Sequence, residues 1–96
     1  MDTQRITEME KIFNEISGIT EEMTALLSRM EEGKESVSRL FRYYGSDEWF
    51  EDREGDLPEG IPAGVLSEDG VYDLLTLLRE ESFRMIENAT DYLKRI

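Results

Sequence analysis

The chain has 96 residues, which on length alone make one domain at most. It contains no cysteine and no histidine, so a disulfide framework and a thiolate metal site are excluded, as are the commonest general base and metal ligand. A net charge of −12 disfavours direct binding to nucleic acid or anionic membranes, where phosphates would meet acids instead of a basic patch.

Hydrophobic residues make up 39% and charged residues 35%, a helix-rich balance too apolar for plain disorder. A chain this short buries a modest share of its surface, so a further source of burial is expected. No apolar run approaches the roughly 18 residues that a membrane span needs. The opening MDTQRITEME lacks a signal-peptide core. Asn88-Ala89-Thr90 then reads as a chance sequon, and a cytoplasmic protein is expected.

The first helix can be capped at Asp2 or Thr3, or at Thr7, where Thr7-Glu8-Met9-Glu10 has the capping-box pattern. Apolar residues then recur every seventh position. One row is Met9, Ile16, Met23, Met30, Val37 and Tyr44; a second is Ile12, Ile19, Leu26, Gly33 and Leu40. Phe13, Leu27 and Phe41 form a third row that widens this coiled-coil seam into a broad stripe. Glu31-Glu32-Gly33-Lys34 offers a possible bend or stop. The stripe crosses Gly33 without losing phase, however, and an internal glycine costs only about 1 kcal/mol. One helix of roughly 40 residues, about 60 Å long, is expected over residues 3–44.

Residues 45–66 read as a connector. Gly45 stops the first helix, Ser46 can cap a short helix around Trp49, and Asp47 and Glu48 suit its positive end. Gly55, Pro58, Gly60, Pro62 and Gly64 forbid regular structure after it. Residues 45–73 carry ten acids against the single base Arg53, a net −9, so most of the imbalance is local.

Ser67 is the clearest cap, with Glu68 and Asp69 in the first turn of a second helix over residues 67–96. Val71, Leu75, Leu78, Ser82, Met85, Ala89, Tyr92 and Ile96 share one face, flanked by Leu74, Ile86 and Leu93. Lys94 and Arg95 close it as the helix dipole prefers.

This pattern gives an all-α fold, a long antiparallel two-helix hairpin in a single domain. The second helix, about 42 Å long, is shorter than the first. The connector is expected to lie back on the first helix, covering it with Trp49, Leu57, Ile61 and Val65. One facing helix covers only the seam, so dimerisation into a four-helix arrangement would bury the rest of the stripe.

Tyr43-Tyr44-Gly45-Ser46-Asp47 with Trp49 and Asp52, followed by Gly64-Val65-Leu66-Ser67-Glu68-Asp69, Val71-Tyr72 and Leu74-Leu75, carries a resemblance. It is similar to a bacterial domain-of-unknown-function family of short helical proteins with the signature YYGSxxW…GVLSEDxVYxLL. The resemblance implies a helical bacterial protein and brings no catalytic residue, cofactor or partner with it.

Asp47, Asp52 and Asp69 could meet near the hinge and hold Mg²⁺ or Ca²⁺, although no window matches the calcium-loop template. Capping and solvation are the better account of these acids, and no metal or cofactor is expected. Ser46 and Ser67 have no histidine to activate them, so no catalytic residue is assigned and an enzyme is not expected. Tyr43, Tyr44, Trp49 and Tyr72 are the aromatic interaction or hinge candidates, with Trp49 and Tyr72 expected to plug the local core. The expected function is a self-associating interaction module, a homodimer whose acidic connector docks a basic protein. The alternatives are an acidic nucleic-acid mimic that inhibits a basic protein, and a carboxylate-based divalent-metal site.

Overall fold

The computed structural model describes residues Met1–Ile96 and is all-helical, with no strand. Helix α1 spans Thr3–Tyr43, α2 spans Asp47–Glu54, a 3₁₀ turn spans Gly64–Leu66, and α3 spans Glu68–Arg95. The chain divides into two compact units, Met1–Phe41 and Arg42–Ile96.

The first unit is α1 without its last two residues. Asp2 caps it, its Oδ1 accepting from the Arg5 amide at 3.1 Å. Thr7 lies inside the helix and donates to the Thr3 carbonyl, so the capping box is not used. The helix runs unbroken through Gly33 for 41 residues, as the unbroken phase of its stripe requires. No residue of α1 is buried, and Met9, Ile12, Phe13, Ile16, Met23, Leu26, Leu27, Met30 and Val37 all remain exposed.

In the second unit, just after α1, Gly45 takes a φ of +78°, a conformation that side-chain-bearing residues rarely adopt. Ser46 caps α2 by accepting from the Trp49 amide at 3.2 Å, and Ser67 caps α3 by accepting from the Gly70 amide at 3.1 Å. Asp47 and Glu48 in the first turn of α2, and Glu68 and Asp69 in that of α3, suit the positive helix ends. The Gly64–Leu66 turn departs from the irregular loop expected there; its bonds run from Leu66 N to Ala63 O and from Ser67 N to Gly64 O. This turn touches both α2 and α3.

Within the second unit the connector packs locally, its 3₁₀ turn against α2 and α3, and one expectation changes, at Tyr72. Trp49 is sealed among Tyr44, Phe50, Arg53 and Val65, while Leu57 and Ile61 stay exposed. A helical start at Ser46 and a turn at Gly64 make this possible, because they hold indole and acceptor within one short segment. Tyr72 is not a core plug: it is 59% exposed, whereas its neighbour Val71 is 4% exposed. Successive residues on a helix differ by about 100° in direction, so only one of the two can face inward.

Gly18 lies within α1 off the seam rows, and a Cβ there would meet nothing within 4 Å. Gly18→Ala should stabilise the protein by about 0.8–1 kcal/mol, whereas Gly45→Ala should destabilise it by about 1 kcal/mol. Urea unfolding followed by circular dichroism should move the midpoint in opposite directions for the two variants.

Candidate functional site: the aromatic junction of the connector

Trp49 sits on the third residue of α2 and is 3% exposed. Its position follows from the Ser46 cap, which fixes the helical register. The indole N–H needs an acceptor once buried; it donates to the Val65 carbonyl at 3.0 Å, joining α2 to the 3₁₀ turn. Tyr44 and Phe50 meet the indole edge-on, each with ring centroids 5.0 Å away. The Arg53 guanidinium lies over the ring at 4.6 Å from its centroid, a cation–π contact.

The two tyrosines reach different elements. Tyr44 Oη donates to the Glu68 carbonyl at 3.2 Å, which ties the chain after α1 to the first turn of α3. Tyr43 Oη donates to Asp52 Oδ2 at 2.5 Å, tying it to α2. This bond to a carboxylate holds the Tyr43 proton, and with partial desolvation and the nearby charges of Asp52 and Glu48 it pushes the phenol up from 10.0 to about 12. The folded chain therefore binds this proton more tightly than the unfolded one. The contribution is fully present below about pH 10 and disappears as the pH rises through about 12.

Among the sequence candidates, Tyr43, Tyr44, Trp49 and Asp52 are thus brought together. Asp47 and Asp69 lie in the first turns of α2 and α3, and Tyr72 faces outward from α3. Asp52 is engaged by Tyr43, and no group of three or more acids is arranged to hold a metal ion. Sequence reasoning missed Arg53 and Phe50. Arg53 had a signal: a lone base among acids, one helical turn after a tryptophan. The carbonyls of Val65 and Glu68 had none, because any residue carries a carbonyl.

An open cleft of about 340 Å³ lies beside the junction, lined by Tyr43, Glu51, Asp52, Gly55, Asp56, Leu57, Ile61, Pro62, Val65 and Leu66. Its acids, Glu51, Asp52 and Asp56, precede its aliphatic residues in a segment with one base. No helix of the chain is long and apolar enough to cross a membrane.

These features define a class: an all-α protein with two long helices and a connector folded around one buried tryptophan. The family described as Domain of unknown function (DUF4298) matches residues 6–88, and the chain belongs to that family. The match encloses the whole of the junction. No curated protein and no solved structure matches the chain.

Trp49→Ala should destabilise the protein by about 3–5 kcal/mol, the usual cost of deleting a buried aromatic, as read from thermal or urea unfolding. In an ultraviolet titration of tyrosinate, Tyr43 should ionise near pH 12. Asp52→Asn should return that step toward 10.0, and Tyr43→Phe should remove it.

Proposed function

We propose that this is a bacterial, cytoplasmic interaction module without enzymatic activity. In this reading one helical-hairpin domain self-associates through its long helices and docks a basic protein at its acidic connector. The observation that carries it is the stripe of α1. Ile12, Ile16, Leu26 and Leu27 are 45–55% exposed and Phe13 64%, on a helix with no buried residue. Helices in proteins gain most of their stability from packing an amphipathic face, and a contiguous exposed apolar stripe marks an association site. A second copy offers the same stripe, so a homodimer in a four-helix arrangement buries it on both sides.

The junction supports the docking half of the reading. Tyr43, Tyr44, Trp49 and Asp52 act as the hinge that fixes the connector's shape. Asp47, Asp69 and Tyr72 lie outside that cluster, free to meet a partner. A nucleic-acid mimic would need carboxylates spaced along a surface, whereas here ten fall in residues 45–73.

Light scattering at high micromolar concentration should give twice the 11.2 kDa chain mass. Ile16→Glu combined with Leu26→Glu should weaken association at least about tenfold and lower helicity, each ten-fold step being about 1.4 kcal/mol. Glu21→Gln, on the polar face, should change neither. A clean monomer for the unaltered chain would defeat the self-association reading.

A further inference from the structure

The cleft beside α2 has two chemistries in its wall. Leu57, Ile61 and Val65 supply apolar surface and are 47%, 53% and 38% exposed. Glu51, Asp52 and Asp56 supply carboxylates. None of these acids has a basic partner in the chain, whose one ion pair joins Arg84 to Glu81. The only base within residues 45–73, Arg53, is held over the Trp49 ring. Unneutralised acids around exposed aliphatic side chains match a ligand that brings both a cation and an apolar group.

We propose that this cleft docks a short segment of a partner protein in which Lys or Arg flanks a Leu-sized side chain. The inference rests on the reading of the connector as a docking element, and it specifies where the partner binds and what is recognised. Charge complementarity decides the occupant. The same connector of a second copy carries a net −9 and is repelled. A free divalent ion would make no use of Leu57 and Ile61, and no group of three acids is arranged for one. A volume of about 340 Å³ is at the small end of ligand-binding clefts, enough for an anchoring side chain and not for a folded element.

The test uses the full chain with labelled methyl groups, titrated with a short synthetic peptide that alternates Lys and Leu. Peptides alternating Lys with Ser, and Glu with Leu, serve as controls. The Lys/Leu peptide should shift the Leu57, Ile61 and Val65 methyl signals, and added salt should weaken it. The Lys/Ser peptide should bind at least about tenfold more weakly, and the Glu/Leu peptide should cause no shift. Glu51→Gln with Asp56→Asn should reduce binding while the Trp49 indole signal keeps its position. Equal binding of the Lys/Ser peptide, shifts confined to α1, or no shift at all would overturn the proposal. Light scattering on the same samples separates the two readings. A dimer with a silent cleft defeats docking alone, and a monomer that binds the peptide defeats self-association alone.

Discussion

The bond from the Trp49 indole to the Val65 carbonyl is the contact on which the connector depends. A segment with a net −9 has every electrostatic reason to stay expanded. It folds because one large ring is removed from water, and because that ring's single polar hydrogen finds an acceptor across a sixteen-residue separation. The remaining junction contacts converge on the same place. Tyr44 and Phe50 wall the indole, and Arg53 lies over its ring. Val71, the other buried residue, is the fourth residue of α3, one turn beyond the Ser67 cap. The elements flanking the turn are thereby held by short-range contacts made at their ends.

The residues that carry the family resemblance acquire individual physical reasons here. Gly45 supplies the left-handed turn, Ser46 and Ser67 cap α2 and α3, and Trp49 fills the junction. Tyr43 and Tyr44 hold Asp52 and the Glu68 carbonyl. A motif accounted for in this way describes an architecture. It leaves the outward surface of the connector, with Glu51, Asp56, Leu57 and Ile61, as the part whose composition the fold itself does not require.

The same separation appears in α1. Its polar residues solvate a helix about 60 Å long, while its apolar rows gain nothing from the residues that lie beside them in sequence. The helix is amphipathic and its apolar face is exposed. Stripe and acidic connector thus differ in chemistry, one apolar and the other carrying a net −9.

Local rules were legible in the residues alone. The unbroken seven-residue phase carried α1 through Gly33, hydroxyl caps placed the starts of α2 and α3, and a lone tryptophan among acids had to be sheltered. Each of these depends on a few neighbouring positions, so spacing suffices to read it. Contacts between distant positions were not legible. Nothing in the order of residues pairs Tyr43 with Asp52, or Tyr44 with a carbonyl twenty-four positions away. The choice of Val71 over Tyr72 as the buried residue was likewise settled by tertiary packing, where the 3₁₀ turn meets α3. The sequence by itself determined the helices, their ends and the placement of charge, because those follow from interactions within one or two turns. Only the tertiary structure decided what surrounds Trp49, since that depends on where the chain returns after Pro58 and Pro62, and backbone carbonyls leave no trace in residue identity.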